Sequence, residues 1–113
     1  MILNKGIYNG KQVLKKESVA AMQRNYAAGK KVIYSPVEAG NWGYGFGEWV
    51  TEANNPSAWS ASVTSPGLFG SFPWVNNEKK YSAVLFTFYI KNTGRNECYT
   101  ALKKLLDEIV NSK

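Results

Sequence analysis

The fold is decided by residues 65–90, which read SPGLFGSFPWVNNEKKYSAVLFTFYI. Two runs rich in aromatic and β-branched residues, 68–75 and 81–90, flank the polar residues 76–80, and this order predicts two strands joined by a turn. The second run is apolar at both odd and even positions, which predicts a central strand covered on both faces. A further strand is predicted over 59–65, where small and β-branched residues precede an interruption at Pro66 and Gly67.

Upstream of these strands, residues 42–50 alternate aromatic residues with glycine, WGYGFGEWV. The alternation predicts one strand with Trp42, Tyr44 and Phe46 on a single face and three glycines on the other. A bare glycine face predicts close approach by another backbone or side chain.

Two helices flank the predicted sheet. Residues 17–26 place Val19, Met22 and Tyr26 at helical spacing, although Lys15 and Lys16 provide a poor N-cap. A C-terminal amphipathic helix is predicted over 96–111, capped by Asn96, with an apolar stripe made of Cys98, Leu102, Leu105 and Ile109, widened by Leu106 and Val110. This helix covers one face of the sheet, and the other face lacks an evident cover.

The first six residues, MILNKG, have the signature of a helix C-terminus, with apolar residues followed by Lys5 and Gly6. An isolated turn of this length cannot nucleate a helix, so we expect the helix to begin upstream of Met1. Asn9 and Gly10 then predict a tight turn.

The expected fold class is α+β, in a single unit over residues 1–113. Residues 1–41 are expected to hold a helix, a turn, a short N-terminal helix and a loop. Residues 42–90 are expected to form a small antiparallel sheet of three to four strands, and the C-terminal helix follows over 96–111.

Composition excludes several classes of chemistry. The chain has 113 residues, 44% of them hydrophobic, with no histidine and one cysteine. A Ser-His-Asp triad, a Cys-His pair and histidine-based zinc sites are therefore absent from this chain, and no metal or cofactor is expected. Cys98 is expected in the core. No apolar run reaches the roughly 20 residues that cross a bilayer, and the N-terminus does not resemble a signal peptide, so the compartment stays unknown.

The formal net charge is +6, with 14 lysines and arginines against 8 acidic residues. The lysines are scattered as pairs through loops and one helix, which favours a solvated surface over a nucleic-acid interface. A single-stranded nucleic-acid binder that uses aromatic residues and lysines is kept as a third functional hypothesis.

The motifs of nucleophilic catalysis are missing from the sequence. No serine has a lysine three residues later, as the Ser-x-x-Lys arrangement requires. The sequence also lacks Tyr-x-Asn, Ser-x-Asn, Gly-x-Ser-x-Gly, a phosphate loop and a complete dinucleotide fingerprint.

The order of the remaining features resembles the C-terminal part of the serine β-lactamase and penicillin-binding protein superfamily. The resemblance rests on GYGFGEWV at 43–50, SPGLFGSFPWVN at 65–76, and the apolar strand and terminal helix that follow. Residues 1–19 are similar to the stretch of that superfamily where one helix ends, a turn follows and another helix starts. The resemblance is closest to the class C β-lactamase-like esterases, covers essentially the whole chain, and implies a partial β-lactamase/transpeptidase-like fold.

In that superfamily the active site combines a Ser-x-x-Lys helix, a Tyr-x-Asn loop and a strand bearing Lys-Thr-Gly or His-x-Gly. By position, the resemblance implies that Ser65, Pro66 and Gly67 stand in the third motif and contact substrate. It also implies that the backbone N–H of Leu68 donates to the oxyanion hole. Ser65 cannot supply the positive charge of the usual lysine, which favours an esterase, a peptidase or an inactive relative over a β-lactam binder.

The sequence therefore predicts the C-terminal portion of a serine hydrolase that is inactive alone. Its substrate in the full-length parent is expected to be a small ester, amide or peptide, and the parent class is often periplasmic or extracellular. The alternative is a non-catalytic binding module that self-associates through its open sheet face. Without the resemblance, Pro66 and Gly67 are more often a plain turn than a catalytic wall.

Overall fold

The structure of the protein, a computed structural model, describes residues 1–51, 61–91 and 93–112. It contains a two-stranded sheet, a five-stranded antiparallel sheet of order β3-β4-β5-β6-β7, and two α-helices, which confirms the predicted α+β class. The larger sheet has five strands where three to four were expected. The elements are β1 (Ile7–Tyr8), β2 (Lys11–Gln12), α1 (Lys16–Met22), a 3-10 helix (Val37–Ala39), β3 (Gly43–Tyr44), β4 (Trp49–Val50), β5 (Ser62–Thr64), β6 (Phe72–Asn76), β7 (Tyr81–Leu85) and α2 (Arg95–Asn111).

The turn predicted at Asn9 and Gly10 is confirmed. It joins β1 to β2, with Tyr8 opposite Lys11, and both turn residues have positive φ angles, 47° and 74°. A two-residue hairpin turn of this kind needs positive φ at both positions because only then does its twist match that of the strands.

The aromatic–glycine segment was wrongly predicted as one strand with one aromatic face. Residues 45–48 turn the chain, so that β3 and β4 form a hairpin in which Tyr44 lies opposite Trp49. As a result Trp42 packs on the core ring of Phe72, while Phe46 stacks on Tyr26 with ring centroids 4.6 Å apart.

The close approach predicted for the glycines is confirmed at Gly45. A Cβ atom at this position would lie 2.0 Å from the carbonyl oxygen of Met22. The same oxygen accepts a hydrogen bond from the Phe46 N–H at 2.8 Å, so the end of α1 is in direct backbone contact with the β3–β4 hairpin.

Replacing Gly45 with alanine is expected to destabilise the chain by roughly 1–3 kcal/mol, because the new methyl group forces two backbone segments apart. The free energy of unfolding in urea measures this effect. Gly67→Ala is the matched control, since its Cβ would meet nothing closer than 3.7 Å and the cost is expected to stay within about 0.5 kcal/mol. Equal stabilities of the two variants would contradict the contact with Met22.

The core lies between α2 and one face of the larger sheet. Its centre is formed by Phe72 and Trp74 of β6 and Tyr99 of α2, all buried. The Phe72 ring stacks on Tyr99 with centroids 4.1 Å apart and on Trp74 with centroids 5.0 Å apart. The partly buried residues around this centre are Trp42, Tyr81, Ala83, Leu85, Leu102 and Leu106.

The face that α2 turns to the core differs from the predicted stripe. Tyr99, Leu102 and Leu106 pack inward, whereas Cys98, Leu105 and Ile109 are exposed. The helix starts at Arg95 after Gly94, which takes the N-cap position with a φ angle of 74°, so the predicted cap, Asn96, is already inside the first turn. Burial of Arg95 and Tyr99, one helical turn apart, sets the rotation of the helix and leaves Cys98 on the solvent side.

Hydrogen bonds also fix α2 to the β6–β7 hairpin through Asp107. Its carboxylate accepts bonds from the Tyr81 hydroxyl at 2.6 Å, from the Asn76 side-chain amide at 2.9 Å and from the Lys103 ammonium group at 3.1 Å. Burial raises the pKa of Asp107, but the bonds from Tyr81 and Lys103 and the charges of Lys103 and Lys79 outweigh it and hold this pKa below its ordinary value.

The strand predicted over 81–90 ends at Leu85, and it lies at an edge of the described sheet rather than at its centre. Leu85 pairs with Phe72, the first residue of β6, and the residues before Phe72 form a turn and therefore offer no strand to pair with. The backbone of the following segment is bonded to this turn and not to a strand, as the Tyr89 N–H donates to the Phe69 carbonyl at 2.8 Å. Phe86 lies within the strand predicted to be covered on both faces, but its side chain is 83% exposed.

The opposite face of the sheet was predicted to lack a cover, and among the described residues it is open over β6 and β7 but covered over β4 and β5, where Val50 and Val63 are 2% exposed. Val84 of β7 is 50% exposed on it, and Pro73 of β6 is exposed as well. The candidate site lies where this open face meets the connection between β5 and β6.

Candidate functional site

Residues 65–68 lie in the connection between β5 and β6, after the sheet pairing ends at Thr64. The Thr64 hydroxyl donates to the Pro73 carbonyl at 2.5 Å and ties the end of β5 to β6. Beyond this point the Gly67 N–H donates to the Ser71 carbonyl at 2.8 Å, and the Gly70 N–H donates back to the Gly67 carbonyl at 3.0 Å. The predicted wall is therefore a hydrogen-bonded loop and not part of a strand.

The backbone N–H of Leu68 was predicted to donate to the oxyanion hole. Among the residues that the structure describes, none accepts a hydrogen bond from it, and the residue as a whole is 79% exposed. A free backbone donor on a loop closed by its own hydrogen bonds can be directed at a ligand oxygen.

Pro66, Gly67 and Leu68 line a cavity of about 230 Å³. Its remaining walls come from Trp49 of β4 and from the segment around the 3-10 helix, which contributes Pro36, Glu38 and Ala39. The Glu38 carboxylate is paired with the Arg95 guanidinium at 2.9 Å, so its charge is compensated. The cavity thus sets mainly apolar walls beside the Leu68 donor.

Ser65 does not line this cavity. It lines a larger groove of about 500 Å³ on the open face of the sheet, together with Met22, Phe46, Glu48 and Val84. The structure therefore brings together three of the four predicted site residues and places the fourth on an adjoining surface.

Arg95 is the residue at the site that sequence reasoning missed. It is 7% exposed, and its guanidinium donates to Glu38 at 2.9 Å, to the Leu68 carbonyl at 3.1 Å and to the Lys91 carbonyl at 3.0 Å, as well as to the carbonyl of Tyr89. Tyr99, one turn along α2, donates its hydroxyl to the Gly70 carbonyl at 2.7 Å. The N-terminal turns of α2 thereby hold the loop that carries Leu68.

The sequence carried one signal for Arg95, which is one of two arginines in a lysine-rich chain. Arginine is favoured where one buried cation must bind several oxygens.

Among the described residues, Glu48 is the one acidic residue that lines the larger groove. Its Oε1 atom is inaccessible to water and has no hydrogen-bond partner among the described residues. Burial raises the pKa of its carboxyl group because the charged form loses hydration.

Glu48→Gln is expected to raise the melting temperature of the isolated chain at pH 7 and to leave it unchanged at pH 3. Because the folded pKa of Glu48 lies above the unfolded one, both states are protonated at low pH, and the cost of ionisation develops as pH rises from the unfolded pKa to the folded pKa and is complete above it. Thermal unfolding across this pH range measures the difference. The exposed Glu78 provides the control, for which Glu78→Gln is expected to leave the melting temperature at pH 7 unchanged. A Glu48→Gln variant that is less stable than the wild type at pH 7 would contradict the uncompensated carboxylate.

Two further kinds of feature are absent from the described ranges 1–51, 61–91 and 93–112. No three His, Cys, Asp or Glu side chains in these ranges come together as a metal site. None of the helices there is long and apolar enough to cross a membrane.

Comparison with known proteins places the fold. No protein-family model matches the chain, and no curated protein matches it. Its structure is similar to the crystal structure of a candidate beta-lactamase from Bacteroides dorei DSM 17855, with a TM-score of 0.77 and 23% sequence identity over 98% of this chain. The chain spans 37% of the length of that protein. It therefore has a β-lactamase-like fold.

Proposed function

We propose that the chain is the C-terminal portion of a β-lactamase-like serine hydrolase of the class C-like esterase branch. In this proposal it supplies one wall of the active site and is inactive alone. The observation that carries the proposal is the likeness in fold, which covers 98% of this chain but 37% of its neighbour, so most of the neighbour lies outside the match. The absence of Ser-x-x-Lys and Tyr-x-Asn from the sequence supports it, because the nucleophile must then come from another part of the domain.

The wall would act through the backbone of residues 67 and 68. During acyl transfer the substrate carbonyl oxygen becomes negative, and the free N–H of Leu68 is proposed to stabilise it by a hydrogen bond. Gly67 has no side chain to obstruct the approach of the reacting carbonyl. Arg95 is a positioning residue in this scheme, since it binds the Leu68 carbonyl and so orients the loop that carries the Leu68 N–H.

The proposed substrate class is a neutral ester or amide with a compact apolar group. Ser65 offers no positive charge to a substrate carboxylate, which argues against the β-lactams. The apolar group would fit the cavity beside Leu68, where Trp49 and Pro36 form the walls and the charge of Glu38 is compensated by Arg95.

The isolated chain is expected to hydrolyse neither nitrocefin nor p-nitrophenyl acetate above the rate in buffer. The reason is the lack of an activated nucleophile, without which a bound ester has nothing to attack its carbonyl. A rate that a serine-directed inhibitor abolishes would contradict inactivity of the chain alone.

A chimera tests the wall itself. In the Bacteroides dorei protein, the matched region is replaced by this chain, and hydrolysis of both substrates is measured. Leu68→Pro removes the N–H and is expected to lower kcat by roughly 10²–10³-fold, whereas Leu68→Ala keeps the N–H and serves as the control. Equal kcat values for the proline and alanine variants would contradict the oxyanion role.

A further inference from the structure

The loop between α1 and the 3-10 helix exposes a group of consecutive apolar side chains. We define the apolar tip as Val32, Ile33 and Tyr34, whose exposed fractions are 57%, 95% and 83%. Ile33 has the largest exposed fraction of any large apolar residue that the structure describes. Single exposed apolar residues are common on protein surfaces, whereas three in succession on one loop indicate a binding surface.

The loop is fixed at both ends and free at the apolar tip. Before the tip, the Lys30 N–H donates to the Ala27 carbonyl at 3.1 Å, and after it the Ala39 N–H donates to the Pro36 carbonyl at 3.0 Å. Within the described part of the chain, the backbone groups of residues 32–34 take part in no hydrogen bond. A partner must therefore leave these groups hydrated or bond to them, and the hydrated headgroup region of a lipid bilayer does so.

The charge around the apolar tip has one sign. Lys30 and Lys31 directly precede the tip and are exposed, and residues 25–37 contain no acidic side chain. The next acidic residue, Glu38, is paired with Arg95 at 2.9 Å and so does not offset the two lysines. Apolar side chains beside exposed lysines favour an anionic lipid surface, where tyrosine rings lie at the level of the headgroups.

Two other occupants fit the apolar tip poorly. Symmetric pairing of two copies would bring Lys30 and Lys31 of both chains together, and each chain has a net charge of +6. The rest of a catalytic domain is also a poor occupant, because the loop continues into Pro36 and Glu38, which line the cavity beside Leu68 that substrate has to reach. This second step rests on the proposed function.

We propose that residues 30–37 are a peripheral membrane-binding loop. The apolar tip enters the headgroup region of an anionic bilayer, and Lys30 and Lys31 pair with the lipid phosphates. This role goes beyond the proposed hydrolysis, since it gives the cavity a location. Its wall at Pro36 then lies next to the bilayer surface, from which an apolar ester or amide can enter it.

Sedimentation with lipid vesicles tests the loop. The full chain is mixed with vesicles of phosphatidylcholine that contain about one third phosphatidylglycerol, and with vesicles of phosphatidylcholine alone. We expect partitioning onto the anionic vesicles to be roughly tenfold stronger than onto the neutral ones. Salt at about 0.5 M is expected to remove most of this preference, because it screens the attraction between lysine and phosphate.

Two double variants of the loop separate its apolar and charged parts. Ile33→Gln with Tyr34→Gln removes apolar surface, and Lys30→Gln with Lys31→Gln removes two charges. Each pair is expected to lower the partition coefficient on anionic vesicles by roughly tenfold. All four side chains are exposed, so the urea midpoint should stay at the wild-type value, which separates loss of binding from unfolding.

Matched controls make the same changes elsewhere on the surface. Phe86→Gln replaces another apolar residue, 83% exposed, and Lys15→Gln with Lys16→Gln removes two charges from another exposed pair. Both controls are expected to stay within about twofold of the wild-type partition coefficient. A loss in either control equal to that in the matching loop variant would place the binding surface elsewhere and overturn the proposal.

A fluorescent label reports the position of the apolar tip directly. Ile33→Cys is labelled with an environment-sensitive dye in a Cys98→Ser background, because Cys98 is a free and exposed thiol. A blue shift of its emission on anionic vesicles is expected. A chain that binds no anionic vesicles, or a label whose emission does not shift, would overturn the proposal.

Self-association is the remaining outcome. A chain that dimerises in light scattering, and that Ile33→Gln returns to the monomer, would assign the apolar tip to a second copy and overturn the membrane role. All of these readouts measure binding without catalysis, so their failure is distinct from failure of the catalytic wall, which the chimera tests through kcat.

Discussion

Arg95→Leu is expected to destabilise the chain by about 3–5 kcal/mol, a large part of the stability of a small domain. The variant removes one partner of a buried ion pair, leaves the Glu38 carboxylate uncompensated, and takes a donor from the carbonyls of Leu68, Tyr89 and Lys91. Urea denaturation measures the loss. Amide hydrogen exchange should also show earlier exposure of the Tyr89 N–H, because its hydrogen bond to Phe69 depends on the loop that Arg95 holds.

Two controls separate the buried network from the loss of any arginine. Arg24→Leu changes the other, exposed arginine and is expected to alter the free energy of unfolding by less than about 0.5 kcal/mol. Adding Glu38→Gln to Arg95→Leu should recover part of the loss, since it removes the uncompensated charge. An Arg95→Leu variant with the wild-type urea midpoint would show that the contacts do not contribute to stability.

Phe72→Ala is expected to cost about 3–5 kcal/mol, as for other large aromatic residues removed from a core. Its ring is 1% exposed and stacks on Trp42, Trp74 and Tyr99, so the alanine leaves a cavity at the centre of the α2–sheet interface. The free energy of unfolding is again the measurement.

Phe86→Ala is the matched control, with the same chemical change at an exposed position. It is expected to change stability by less than about 0.5 kcal/mol and to leave the melting temperature in place. A loss at Phe86 equal to that at Phe72 would mean that residue 86 is buried in solution and that β7 extends as the sequence alone predicts.

The elements that the sequence predicted well depend on local chemistry. Asn9 and Gly10 specify a hairpin turn through their own backbone preferences, and Gly45 marks a close approach because any side chain there would clash. The α+β class and the existence of both helices likewise follow from periodicity within short windows.

The errors have a shared origin in contacts between distant residues. Hydrophobicity alone extends β7 to residue 90, but beyond Leu85 the segment lies beside the loop that precedes β6, where the bond from Tyr89 to Phe69 and the contacts of Arg95 replace regular strand pairing. The rotation of α2 depends on Arg95 and Tyr99 finding acceptors at Leu68 and Gly70, which no helical pattern reveals.

The candidate site likewise has one part that the sequence order indicates and another part that depends on contacts between distant segments. Residues 66–68 were predicted as site residues from their order in the chain, whereas the cavity beside them is assembled from Pro36, Glu38 and Trp49, which lie in two other segments. Their role depends on how the 3-10 helix and β4 meet the loop, and the sequence carries no local signal for that meeting.

The exposed apolar row from Val84 through Phe86 and Phe88 affects the stability of this chain in a cell. An uncovered edge strand followed by large apolar side chains is a surface that chaperones bind and that promotes aggregation and degradation. Copies in which this row stays uncovered would be removed by quality control, which lowers the abundance of the chain.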